Sequence, residues 1–301
     1  MSSLAGGGHA AVEIRDKGSR IDFVTNPTTV RVRDNYIHHN QREGTEGYGV
    51  GVYNGAYVLI ERNVFDFNRH AIAGDGSDES GYLAYQNLVL ENGGKHKEYP
   101  WPIGWTHTHQ FDMHGQENCG IRGNYSGHAW NCGTAGEYMD IRYNSFFYTN
   151  GNAFKLRGTP MIGADVTDNV FAHSSLFTTV GFGAPLGALS QTESGLHASN
   201  NLVGVNGMNE LGSCDFDGDG INDSFLATGQ TWWYSGGSGI PWVYLNTSKK
   251  RRAEVTLGFF DADNICDVWV DGVVVPGGRA QPLHGNSLPP RGGVASTTLS
   301  K

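Results

Sequence analysis

A short phrase built on asparagine recurs seven times along this chain: an apolar run, an Asn, then another apolar pair. It reads VRVRDNYIHHN around Asn35, LIERNVFDFN around Asn63, LAYQNLVLEN around Asn87 and GIRGNYSGH around Asn124. It returns as MDIRYNSFFY around Asn144, DVTDNVFAHS around Asn169 and HASNNLVGVN around Asn201. The intervals are 28, 24, 37, 20, 25 and 32 residues. A unit this short cannot bury its own apolar face, so successive units must stack and share one core. Stacking turns residues far apart in sequence into neighbours on one surface.

Each unit divides into a strand carrying the Asn and a strand preceding it. The preceding strands align without gaps: AAVEIRD (10–16), GYGVGVYN (47–54), HAIAGDG (70–76), HQFDMHG (109–115) and NAFKLRG (152–158). Side chains alternate along a strand, which places Val12/Ile14, Val50/Val52, Ile72, Phe111/Met113 and Phe154/Leu156 on the core face. The opposite face then carries Glu13/Arg15, Gly51/Tyr53, Ala73/Asp75, Asp112/His114 and Lys155/Arg157. A weaker unit, HAWNCGTAG (128–136), is expected between the last two, putting Lys155 and Arg157 two strands from Asp112. The 44 glycines have no collagen period, so with few prolines they read as turn residues of an all-β fold.

The repeat architecture and the Asn positions resemble the right-handed parallel β-helix of pectate lyases, polygalacturonases and alginate epimerases, over residues 8–206. The resemblance implies a solenoid of about seven to eight coils in which each Asn bonds to its equivalents above and below, satisfying turn backbone. The expected organisation is a β-helix over 1–206, a small C-terminal β unit over 207–275 and a loosely ordered tail over 276–301.

The net charge of −9, with Lys249-Lys250-Arg251-Arg252 the one basic cluster, argues against nucleic acid as the main partner. That cluster reads as a solvated turn. No apolar stretch reaches membrane-spanning length, so no membrane partner is expected. Four cysteines allow three connectivities; comparable places in successive units favour Cys119/Cys132 and Cys214/Cys266, with buried free thiols as the alternative. Disulfides would imply an oxidising compartment and secretion, although no signal peptide is visible at the start, and a monomer is expected.

Nine of the twelve histidines precede position 130. The 37-residue interval between Asn87 and Asn124 marks an inserted loop, 93–108, just before HQFDMHG. It carries His96, Tyr99, Trp101, Trp105 and His107, a composition suited to stacking on sugar rings. With His109 and His70, the residues Tyr99, Trp101, Trp105 and His107 form the expected substrate-binding set. Asp112 and His114 lie two apart, roughly 7 Å, on the outward face, with Asp75 aligned beside His114. HQFDMHG is also similar to the Asp-x-His phrase of alginate epimerases, with different flanking residues.

Three chemistries fit this face. A lyase or epimerase acting on an acidic polysaccharide needs a base and a cation for the enolate formed when a proton leaves beside a carboxylate. His114 would be the base, Arg157 or Lys155 the cation, and Tyr53 or Asp112 would complete the proton relay. An inverting glycoside hydrolase would instead use Asp75 and Asp112, roughly 8 Å apart. A transition metal held by His70, His109 and either His107 or His114 is the third. A non-catalytic carbohydrate-binding or adhesive module is the alternative of a different class, and a solvated sheet face with incidental charges is the plainest reading of the patch.

After Asn206 the repeat stops. CDFDGDGIND (214–223) places Asp215, Asp217, Asp219 and Asp223 at calcium-loop spacing, with glycines permitting a tight turn. It resembles FG-GAP or VCBS repeats. A degenerate copy, FFDADNICDVWV (259–270), keeps Asp261, Asp263 and Asp267 but has Phe259 in place of the first Asp. Two copies cannot close a propeller, so a unit capping the end of the solenoid is expected. Trp232, Trp233 and Trp242 read as its core rather than as a sugar platform.

Overall fold

Alternation sets which residues meet. The computed structural model describes residues 2–5, 9–18, 30–41, 47–97, 105–118, 130–179, 186–190, 194–237 and 242–278. Across it Val12, Val50, Ile72, Phe111 and Phe154 lie side by side in a parallel five-stranded sheet. The strands are Ala10–Arg15, Tyr48–Tyr53, His70–Gly74, Phe111–Met113 and Phe154–Leu156. The residues anticipated inside are inside: Val50, Ile72, Phe111 and Met113 are fully buried.

The chain is all-β, and two further parallel sheets share this core. One has six strands: Arg31–Arg33, Tyr57–Glu61, Gly81–Tyr85, Tyr138–Arg142, Gly163–Thr167 and Leu196–Ser199. The other has seven: Ser2–Leu4, Asn35–His38, Val64–Asp66, Leu88–Val89, Ser145–Phe146, Val170–Phe171 and Leu202–Val203. The sequence visits the five-, six- and seven-stranded sheets in rotation, so each strand pairs with one from the neighbouring circuit. An aromatic file, Phe111–Phe146–Phe171, runs through the middle with centroid spacings of 4.8 and 5.3 Å.

The asparagines stand where the chain passes from the six- to the seven-stranded sheet. The residue before each adopts a left-handed backbone: Asp34, Arg62, Gln86, Tyr143, Asp168 and Asn200 all have φ between 54° and 57°. That conformation costs an L-residue about 1 kcal/mol or more, and the Asn that follows offsets it by bonding. Each Nδ2 donates to the Oδ1 of the next, from Asn35 through Asn63, Asn87, Asn144 and Asn169 to Asn201, over 2.9–3.1 Å. Each Oδ1 also accepts the backbone N–H of the preceding Asn in the file. A second, shorter file that the sequence reading overlooked links Asn40 to Asn68 at 2.9 Å, again after left-handed residues, His39 and Phe67.

Asn124 is not a member of the file between its expected neighbours. Asn87 bonds directly to Asn144 across 57 residues, and Asn124 itself lies outside the described residues. The described part of the stretch 128–136 likewise places no strand between Phe111–Met113 and Phe154–Leu156, and Trp130–Cys132 pairs antiparallel with Glu117–Asn118. The strand bearing Lys155 and Arg157 is therefore the immediate neighbour of the strand bearing Asp112, not the second one along. Two hairpins thus flank Phe111–Met113, the other being Lys95–Lys97 with Trp105–His107.

Beyond Asn206 the sheets become antiparallel, with four strands over 212–247 and three over 256–275. This part has its own core of Phe216, Phe225, Trp232, Leu245 and Val268. It does not cap an end. Leu226, Trp233, Trp242 and Tyr244 pack on Val64, Leu88 and Phe147, covering the outer face of the seven-stranded sheet. The three tryptophans are core residues, as expected. The basic run is less free than a solvated turn: Lys249 pairs with Asp168 at 2.9 Å and Arg251 with Glu210 at 2.9 Å. Cys214 and Cys266 form a disulfide. In the other expected pair, Cys119 lies outside the described residues, as does the tail from 279. Among the described residues no helix is long and apolar enough to cross a membrane.

Candidate functional site

Asp112 sits on the outward side of its strand, but it is not exposed. Its carboxylate is completely buried beneath three neighbours. His114 Nε2 lies 2.7 Å from Oδ2, His109 Nε2 lies 3.2 Å from Oδ2, and Arg157 Nε lies 3.0 Å from Oδ1. Lys155 stands directly beside Asp112 in the strand register and is half-buried. Residues grouped by the sequence reading do lie together here; what alternation alone could not show is that two histidines and an arginine close over the acid.

Charge balance follows from that enclosure. Burial opposes ionisation of Asp112, but Arg157, then His109 and His114, outweigh it and hold the carboxyl well below its usual range. Burial acts the other way on the imidazoles. It lowers His109 to about 4 against the pull of Asp112, with Arg157 and Lys155 adding to the depression. His70 is driven well down by burial and by His109. Lys155 is lowered by burial and then by Arg157, against Asp112. Arg157 Nη2 stands 2.9 Å from His109 Nε2. One ring nitrogen cannot accept from Arg157 and donate to Asp112 at once. With His109 neutral, the shorter contact is the hydrogen bond, in which Arg157 donates, and the carboxylate contact is bridged by the same guanidinium.

His70 is stacked on His109, centroids 4.2 Å apart, and Tyr48 stacks on its other side at 5.2 Å. Its Nδ1 donates to the His109 carbonyl over 2.9 Å, which leaves Nε2 without a proton. His70 Nε2 is buried without a hydrogen-bond partner, while the Asp112 oxygens, His114 Nε2 and Arg157 Nε meet as ion pairs that are close but not aligned as hydrogen bonds. The ligand atoms of His70, His109 and Asp112 all fall within 4.8 Å of one another. The group that could hold a metal therefore contains Asp112, in place of His107 or His114 from the sequence reading.

Other expected members take different places. Tyr53 is buried with its ring over Gly51, where a Cβ would collide with it, and its hydroxyl is 3.3 Å from His9 Nδ1. Burial raises its phenol well above the ordinary value. Asp75 serves as a turn acceptor: Oδ2 takes the Asn54 N–H at 3.0 Å and the Ser77 hydroxyl at 2.7 Å, and Oδ1 takes the Ser77 N–H at 2.9 Å. Tyr99 and Trp101 lie outside the described residues, and Trp105 and His107 are placed as backbone in the hairpin only. Tyr48 and His9 went unnoticed in the sequence. Tyr48 opens a strand at the position matching His70, which is the signal that could have found it.

In the C-terminal part, Asp215, Asp217 and Asp223 bring carboxylate oxygens within 4.8 Å of one another, and so do Asp261, Asp263 and Asp267. Asp219 is not among them; its Oδ1 accepts the Ile221 N–H at 2.7 Å. The two loops repeat each other closely. Phe216 N–H donates to Asp223 and Phe260 N–H donates to Asp267, while the disulfide joins the residues just before Asp215 and Asp267. Burial, then Asp217 and Asp215, raise the Asp223 carboxyl.

Comparison with protein-family models, with curated proteins and with solved structures finds no match to this chain.

Proposed function

We propose that the chain is a secreted right-handed parallel β-helix that acts on an acidic polysaccharide by removing the proton beside a uronate carboxylate. In β-elimination the glycosidic C–O bond breaks and the departing oxygen takes the proton from His114; in epimerisation water returns a proton to the opposite face. The observation that carries this reading is His114 Nε2 at 2.7 Å from the buried, ionised Asp112, with Lys155 on the adjoining strand. A carboxylate this close to Nε2 attracts the ring proton to that nitrogen and leaves Nδ1 as the base. His114 is partly exposed, so substrate can reach it. Among the described residues Lys155 has no ion-pair partner, which leaves its ammonium for the substrate carboxylate and the enolate. Arg157, engaged by Asp112 and His109, positions the acid rather than the substrate.

Hydrolysis by Asp75 and Asp112 fits less well. An inverting pair needs one protonated acid, whereas Asp112 is held ionised and Asp75 is spent on Asn54 and Ser77. The test is a scan of uronate polymers for the ultraviolet absorbance of a new double bond conjugated to the carboxylate, alongside NMR of the uronate stereochemistry. Absorbance or C5 inversion supports the proposal. Reducing ends without either would mean hydrolysis, and tight binding without turnover would mean a carbohydrate-binding module.

The Asp loops support calcium as the C-terminal cofactor. Their donors are all oxygens, as a hard cation requires, and a cation would offset the burial and the repulsion from Asp217 and Asp215 that raise Asp223. Calcium at a hundredfold excess over its dissociation constant should stabilise the folded protein by about 2.7 kcal/mol. Thermal melts with calcium and with chelator check this, and Asp223→Ala should remove most of the difference.

A further inference from the structure

One buried nitrogen at this cluster has no partner at all. His70 Nε2 is inaccessible and makes no hydrogen bond, whereas both Asp112 oxygens, though without aligned hydrogen bonds, are held by ion pairs with His109, His114 and Arg157. Buried polar atoms are nearly always satisfied, so an orphan beside a buried carboxylate needs a cause. Stacking and the Nδ1 bond to the His109 carbonyl explain where the His70 ring lies. They do not explain an unpartnered ring nitrogen in a group whose possible ligand atoms lie within 4.8 Å of one another. An imidazole that donates one N–H to a backbone carbonyl and keeps the other nitrogen bare is the arrangement in which histidine binds metals.

We propose that His70, His109 and Asp112 form a site for a divalent transition-metal ion, whose place Arg157 takes when the metal is absent. The donor set is two imidazoles and one carboxylate. Nitrogen donors select zinc and its first-row neighbours over calcium or magnesium, and three protein ligands leave a coordination position open. Arg157 behaves as a stand-in: its Nη2 is 2.9 Å from His109 Nε2 and its Nε is 3.0 Å from Asp112 Oδ1. These are atoms the metal would use. It leaves His70 Nε2 untouched, and its side chain reaches solvent, so it can withdraw. This inference shares residues with the proposed base site but does not rest on the elimination reading, since it is read from metal binding alone.

The test is calorimetric titration of the full chain, stripped by chelation, with Zn²⁺ in excess calcium so that the Asp loops are filled. One zinc per chain is expected. His70→Asn keeps an amide donor for the His109 carbonyl but removes Nε2, and should weaken binding by about a hundredfold. Arg157→Leu should tighten it by about tenfold or more, because a unit charge beside the ligands is removed. Absence of zinc binding in both the wild type and Arg157→Leu would overturn the proposal, as would unchanged binding in His70→Asn. So would zinc binding lost only in Asp223→Ala. Should His70→Asn fail to fold, the visible spectrum of the wild type loaded with Co²⁺ decides: low-coordinate nitrogen ligation supports the site, and an oxygen-only octahedral spectrum refutes it.

Discussion

His114→Gln is expected to slow formation of unsaturated or inverted uronate by about 10²–10⁴-fold, the range that a positioned general base contributes. Glutamine has nearly the reach of histidine, and its amide can still meet Asp112 Oδ2, where Nε2 now stands at 2.7 Å. What disappears is the second ring nitrogen, the one able to take a proton. The side chain is partly exposed and lies outside the apolar core, so the melting temperature should stay close to that of the wild type. Rate and stability together separate a catalytic loss from a folding defect. Full activity in the glutamine variant would remove His114 as the base, and loss of both would make the residue structural.

Asn144→Ala should destabilise the protein by about 4 kcal/mol, read as a lower urea midpoint with an unchanged slope. Asn144 is fully buried in the middle of its file. Its Nδ2 donates to the carbonyls of Ala84 and Arg142 and to Asn169 Oδ1, while its Oδ1 accepts the N–H and the Nδ2 of Asn87. Alanine leaves these partners buried and unpaired, at about 1–3 kcal/mol for each group that water cannot reach. Asn35, at the start of the file and only half-buried, should cost about 1 kcal/mol on the same substitution. Equal losses at the two positions would show that the file adds nothing beyond local turn bonding.

Much of the fold was legible because alternation and repetition are local signals. The pairing of Val12, Val50, Ile72, Phe111 and Phe154 could be written down from five aligned segments. The misreadings arose where a local signal has two meanings. The phrase around Asn124 looks like the other six, yet Asn87 bonds past it to Asn144. A short segment such as Trp130–Cys132 serves an antiparallel pair as readily as a parallel unit. The second Asn file at Asn40 and Asn68 was visible as an Asn five residues after Asn35 and Asn63, but its meaning depends on the left-handed residue before it.

The site was legible as a set of residues and not as an environment. Sequence placed Asp112 outward, which is correct for its strand; burial comes from His109 and His114 on its own segment and Arg157 on the next. The alignment of His70 with His109 was also readable, and they stack. Exchanging His114 for Asp112 in the metal-capable group required the side-chain packing that brings His109 Nε2 to 3.2 Å from Asp112 Oδ2. The aromatic loop was recognised from an enlarged interval, and the structure makes that interval larger, 57 residues from Asn87 to Asn144, with a hairpin on each side of Asp112.

The most direct measurement follows the proton itself. A uronate polymer carrying deuterium at C5 is incubated with the protein, and the label is traced by NMR into product and water. Removal of that proton by His114 requires deuterium to appear in water in step with turnover, whether the outcome is elimination or epimerisation. Chain cleavage with the deuterium retained at C5 would contradict it.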